Sequence, residues 1–184
     1  MLTFFNVVVF IHVVCAIIWI GSAVVLELLE LEAVHTGKRD RLLATLHRSS
    51  WFGARVFAPA AILTILTGIT AVAVGRPTFS QWWVIIALVS VVIVSVLGGG
   101  VIGRTSGKLA ARLADPSVLE DEVERGLKGI RWATYLDLAI LFFILFDMVM
   151  RPVAFDAGFV TVSGIFFAAV ILSIAVNQAR LNRI

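Results

Sequence analysis

Long apolar runs alternate with short charged stretches along the whole chain. The runs cover about Phe4 to Leu26, Trp51 to Val74, Trp82 to Ile102, Trp132 to Met150 and Phe159 to Val176. Each is close to the ~20 residues that a helix needs to cross a bilayer. The prediction is an all-α polytopic membrane bundle of five transmembrane helices. The charged segment 27–50 carries Lys38, Arg39, Arg41 and Arg48, and Thr36-Gly37 breaks it into a helical hairpin. Segment 104–131 is amphipathic and is split by Asp115-Pro116, with Ser117 and Glu120 spaced as a capping box. Gly75-Arg76-Pro77-Thr78 reads as a tight turn, and Arg151-Pro152 stops the fourth run. Residues 1–152 therefore form a four-helix core with loops 27–50 and 104–131, and residues 153–184 add a fifth helix.

Composition removes the soluble classes. Hydrophobic residues make up 60% of the chain and charged ones 15%, with a mean hydropathy of +1.03. Of the 15 basic residues, 13 fall at one end of the spans; only Arg76 and Arg151 fall at the other. By the positive-inside rule the N-terminus lies outside and the C-terminus in the cytoplasm. Topology thus accounts for the net charge of +3, and a nucleic-acid partner is not expected. The first run passes into Glu27-Leu-Leu-Glu30 and not into a small-residue cleavage site, so a signal peptide is not expected. A single cysteine, Cys15, excludes an internal disulfide.

Ionisable groups inside such runs are the candidates for chemistry, because an unpartnered one at that depth costs several kcal/mol, by rough estimate. His12 is the first. Depth counted along each helix puts His12 near Thr64, Thr67 and Asp147 as an outer cluster, and Glu27, Arg55 and Asp137 together as an inner one. The bland reading of Thr64, Thr67 and Thr70 is bonding back to the preceding turn; the sharper one is a lined path. Arg55 is expected to pair with Glu27, Asp137 or both, since a guanidinium cannot shed its proton. Arg151, four residues after Asp147, is expected to reach back and cap it.

Three function classes follow. In the first, His12 holds a cofactor. Copper would use His12 with the soft sulfur of Cys15, Met148 and Met150. Haem b would take His12 as axial ligand and Trp19 with the phenylalanines as walls, the second axial position falling to Met148, to a second copy of His12, or to nothing. In the second class the intramembrane acids form a proton or small-solute conduit. In the third the chain is an accessory subunit whose docking surfaces are the fifth helix and the Gly99/Gly103 pair, spaced for close helix approach.

Phe10-Ile-His-Val-Val-Cys-Ala-Ile-Ile-Trp-Ile-Gly21 resembles the first-helix pattern of the membrane superfamily that includes CopD-like copper-resistance proteins and HemJ-type protoporphyrinogen oxidases. More closely, the chain resembles the bacterial integral-membrane family Domain of Unknown Function 2269. The matching pieces are that helix, Gly53-Ala-Arg55-Val-Phe with Pro59 and Leu66-Thr-Gly68, the Leu97-Gly-Gly-Gly-Val-Ile-Gly103 segment, and Leu136-Asp137 with Phe146-Asp147-Met148 through Arg151-Pro152. The resemblance implies a four-helix bundle in a bacterial plasma membrane whose first-helix histidine, here His12, binds haem or copper. The fifth helix lies outside the pattern.

Overall fold

The computed structural model describes residues 3–36, 39–75, 77–113, 120–153 and 157–181, and every regular element among them is helical. In order these are α1 (Phe4–Thr36), α2 (Arg39–Phe52), α3 (Ala58–Val74), α4 (Trp82–Ser95), α5 (Gly103–Leu113), α6 (Glu120–Met150) and α7 (Ala157–Leu181). Two π-helical segments, Gly53–Phe57 and Val96–Ile102, fuse α2 to α3 and α4 to α5. Four helical stretches are long and apolar enough to cross a membrane: Phe4–Ala33, Asp40–Val74, Trp82–Leu113 and Arg125–Met150. The fifth predicted run is helical too, but its apolar part among the described residues, Ala157–Leu172, is shorter. The Asp115-Pro116 break and the Ser117 end of the capping box lie outside the described residues.

Sequence chemistry explains where the helices stop. α3 ends at Gly75, whose extended backbone leads into Pro77. α6 ends because Arg151 takes a left-handed conformation, φ 46°, and Pro152 follows it. The triple glycine of the third run does not unwind the chain; it sits in the π-helical segment, which keeps the helix continuous into α5.

α1 packs most extensively on α3, and α4 on α6; contacts between α1 and α6 join the two pairs. The α1–α3 seam opposes large rings to small residues at seven-residue steps, the repeat that keeps one seam facing its partner. Phe5 lies on Gly75, His12 on Gly68, and Trp19 packs in one cluster with Ala61. The α4–α6 seam runs antiparallel through Arg151 over Trp83, Leu141 with Val94, and Asp137 by Gly98. Trp19, Ala23, Ala60, Val94, Ile140 and Leu141 make the central core. A second core at the basic end joins Ala33, Leu42, Leu46, Leu109, Leu113 and Ile130, tying the amphipathic α5 to α2 and α6. α7 rests on α6 through phenylalanines, Phe159 and Phe167 against Phe143. Large apolar side chains elsewhere point outward, as lipid-facing residues must: Phe10 is 68% and Ile165 64% exposed.

Candidate functional site

His12 is half-buried on α1, at the seam with α3. Its Nδ1 lies 2.8 Å from the Thr64 carbonyl oxygen and 3.3 Å from Thr67 Oγ1. A carbonyl can only accept, so Nδ1 carries the proton and Nε2 carries the lone pair. No described group bonds to Nε2. The ring reaches α3 because position 68 is glycine: a Cβ there would meet His12 Cε1 at 2.9 Å and Nδ1 at 3.2 Å. The threonine hydroxyls bond back to their own helix, Thr64 to Ala60 O at 2.8 Å, Thr67 to Leu63 O at 2.6 Å and Thr70 to Leu66 O at 2.8 Å. Thr64 thus serves His12 through its backbone, and Thr67 through the lone pairs left on its hydroxyl.

A cavity of about 990 Å³ opens at the far end of the bundle, with Phe5, Val9, Trp82, Trp83, Gln81 and Arg151 among its walls. Val9 is three residues from His12, about one helical turn, but His12 itself does not line the cavity.

The inner cluster is built differently from the expectation. Arg55 is exposed, and its guanidinium lies 5.0 Å from the ring centre of Trp51. It pairs with neither Glu27 nor Asp137. The cause is the π-helical segment Gly53–Phe57: the wider turn shifts the side-chain rotation, so Arg55 leaves the inner face while Phe57 enters it, edge-on to Trp19. Glu27 is buried and takes its partners from α6, a hydrogen bond from the Tyr135 hydroxyl and the nearby charge of Arg131, which also faces Glu30. Arg131 is itself buried. Sequence reading placed Arg131 in the loop and overlooked Glu30 and Tyr135; the signal for them was i to i+4 spacing with Arg131 and Tyr135 on one face of α6, but only inter-helix register could aim that face at Glu27.

Asp147 is 0% exposed, and neither carboxyl oxygen has a hydrogen-bond partner among the described residues. The expected cap from Arg151 is not made. The left-handed turn at Arg151 swings its side chain away, so the guanidinium sits 5.6 Å from the Trp83 ring centre and Nε donates to Met148 O at 3.4 Å. Only the backbone link remains, Arg151 N–H to Asp147 O at 2.8 Å.

The sulfur groups are dispersed. Cys15 is buried on α1, Met148 is half-buried and Met150 is exposed at the end of α6. Among the described residues no group of three or more His, Cys, Asp or Glu could hold a metal ion. Among the described residues Gly99 has nothing within 4 Å of where its Cβ would be and Gly103 meets only Gly98 O of its own helix, so neither packs against another described helix.

With this geometry in place, comparison with known proteins gives one result. The chain belongs to the family described as predicted integral membrane protein (DUF2269), whose model spans residues 6–152. That span covers the four long apolar helices and ends at Pro152, leaving α7 outside it. No curated protein and no solved structure matches the chain.

Proposed function

We propose that this member of the DUF2269 family is a haem-binding membrane protein in which His12 Nε2 is an axial ligand to haem b. The observation that carries the reading is the bond from Nδ1–H to the Thr64 carbonyl, which leaves Nε2 as a lone pair without a partner among the described residues. Metal-ligating histidines are held this way, the second ring nitrogen fixed by a backbone carbonyl or carboxylate. Gly68 supports it by letting the ring approach α3 closely. Haem, when bound, supplies one-electron redox chemistry; the chain's own part is to hold the ring, fix its tautomer and exclude lipid. Copper is the weaker alternative, because Cys15 is buried, Met148 half-buried and Met150 exposed, a mismatch for one shared site.

A second copy of His12 or a small ligand would complete the group's coordination. Gly99 and Gly103 present bare backbone on which a second copy or another membrane helix would fit, and α7 offers a further surface. The basic end faces the cytoplasm of a bacterial cell, by the positive-inside rule.

Purification in mild detergent from haem-replete cells tests the reading. A Soret band is expected in the wild type and its loss in His12→Ala, with helix content retained. A wild type without a Soret band, which also fails to shift the spectrum of added haem, overturns it.

A further inference from the structure

The basic end of the bundle is divided in its charge. Between Asp40 and Asp115 the chain has no acidic residue, and six basic residues of that stretch fall at the basic end: Arg41, Arg48, Arg55, Arg104, Lys108 and Arg112. Residues 115–131, by contrast, hold five acids against three bases. The acid-free stretch supplies α5 and nearly all of α2, which pack together, so one side of the base carries an excess of positive charge. Within that side Arg48, Trp51 and Arg55 are all exposed, three and four residues apart, and so share one strip of the helix surface.

The strip lies where headgroups meet hydrocarbon. Trp51 and Trp132 begin the apolar runs of their helices and are exposed, as indoles at the membrane interface are. Seven and eleven residues beyond Arg55 the same continuous helix exposes Ile62 and Leu66, 57% and 55%, a surface fit only for acyl chains. Arg55 starts one turn inside Trp51, and its guanidinium comes back to 5.0 Å from the Trp51 ring centre. That is the geometry of an arginine that lays its stem along apolar surface and returns its charge to the interface. The π-helical segment Gly53–Phe57 puts it there, turning Arg55 outward as Phe57 turns in toward Trp19. A guanidinium stacked on an indole keeps its planar N–H fork for an oxyanion, and Arg48 adds a second cation on the other side of the ring. At this depth beside a lipid-facing helix, the anion to hand is the phosphodiester of a phospholipid. A zwitterionic headgroup would bring its ammonium against the second arginine, so a net negative headgroup fits better.

We propose that Arg48, Trp51 and Arg55 bind the phosphate of an anionic phospholipid in the leaflet at the basic face, with its acyl chains along Ile62 and Leu66. Mass spectrometry of the protein released from mild detergent tests it, after equilibration with equal amounts of phosphatidylglycerol and phosphatidylcholine. The wild type should retain phosphatidylglycerol several-fold over phosphatidylcholine. Arg48→Met and Arg55→Met should each weaken that retention about fivefold. Arg41→Met removes a base of the same end that already lies 3.8 Å from Glu32, and should change retention less than twofold. Melts in phosphatidylcholine bicelles give an independent measurement: added phosphatidylglycerol should raise the wild-type Tm and leave that of Arg48→Met/Arg55→Met unchanged. Equal retention of the two lipids overturns the proposal, and so does a loss in Arg41→Met as large as in Arg55→Met, which would mean diffuse attraction in place of a site. Glycerol phosphate raising the Tm as much as the lipid does would hand the strip to a soluble anion and overturn it as well. No readout needs a cofactor at His12, so failure here and failure of the haem reading are separable.

Discussion

Gly68→Ala is the sharpest perturbation of the His12 site, because it touches the ring without removing any of its atoms. The added methyl would stand 2.9 Å from His12 Cε1 and 3.2 Å from Nδ1, both well inside ordinary contact. Two helices that pack along their length cannot part locally, so the ring must rotate. Rotation forfeits the 2.8 Å bond to Thr64 O, worth about 1 kcal/mol in net terms. It also forces an off-rotamer side chain at about 0.5–1.5 kcal/mol. The expected loss of stability is thus about 1.5–2.5 kcal/mol by these two contributions. The loss of function should be larger in proportion, since removing the group that orients a metal-ligating histidine typically costs about 10–100-fold in affinity. Thermal melts in detergent measure the first, and haem titration followed at the Soret band measures the second. Gly21→Ala is the control, with nothing within 4 Å of its Cβ position, and it should be neutral or slightly stabilising. Gly68→Ala protein that melts and titrates like the Gly21→Ala control would refute both the packing argument and the role given to the Thr64 carbonyl.

Four further outcomes follow from the same contacts. Arg131→Met removes the cation near Glu27 and Glu30 and should lower the midpoint in thermal or chemical melts, with part of the loss recovered in Arg131→Met/Glu27→Gln. Arg55→Met should change stability by less than about 1 kcal/mol, since only its contact with Trp51 is lost; a loss as large as that of Arg131→Met would restore Arg55 to the interior. Arg151→Gly relieves a left-handed residue at a helix end, about 1–2 kcal/mol, against the lost Trp83 contact, so its melting temperature should not fall below wild type. Gly75→Ala drives a methyl into both Phe5 and the Ala71 carbonyl and should lower the melting temperature, and Phe5→Ala in the same chain should recover only the part due to the ring.

Helices and spans were legible because the bilayer imposes a length and a polarity that the chain must satisfy residue by residue. Which polar groups meet was less so, and the two seams show why. Phe5, His12 and Trp19 recur every seven residues on α1, and Gly75, Gly68 and Ala61 recur in reverse on α3. Both repeats are in the sequence, yet they specify contacts only once ring is set against glycine. Depth counting brought His12 to the level of Thr64 and Thr67 because helical rise is uniform there. It misplaced Arg55 because a π-helical segment adds a residue to the turn, and one residue is enough to rotate a side chain from the interior to the lipid. It misplaced Arg151 because a left-handed residue redirects the chain within a single position, whatever the i to i+4 spacing promises.

The two irregular segments are therefore where sequence and structure part company, and they are also where the interior is polar. A regular helix could have buried Leu or Ile beside Trp19 and Asp137 with no orphaned atoms. This chain instead places a glycine triplet in one π-helical segment and Phe57 in the other, so that Gly98 lies beside Asp137 and the Phe57 ring meets Trp19 edge-on. Local irregularity that costs stability persists when the surrounding structure enforces it, and it gathers where a site needs it. His12 follows the same logic in milder form, on a regular helix with a single glycine removed from its path. Mutating Gly68 and Gly98 to alanine separately should thus tell the two places apart: the first methyl would stand 2.9 Å from His12 Cε1 and should move haem affinity, whereas the second would meet Asp137 Oδ1 and Phe57 Cε1 at 3.8 and 3.9 Å, ordinary contact, and should leave haem affinity unchanged. Were Gly98→Ala to weaken haem binding as much as Gly68→Ala, the bundle would contain one connected site, and Asp137 and His12 would have to be explained together.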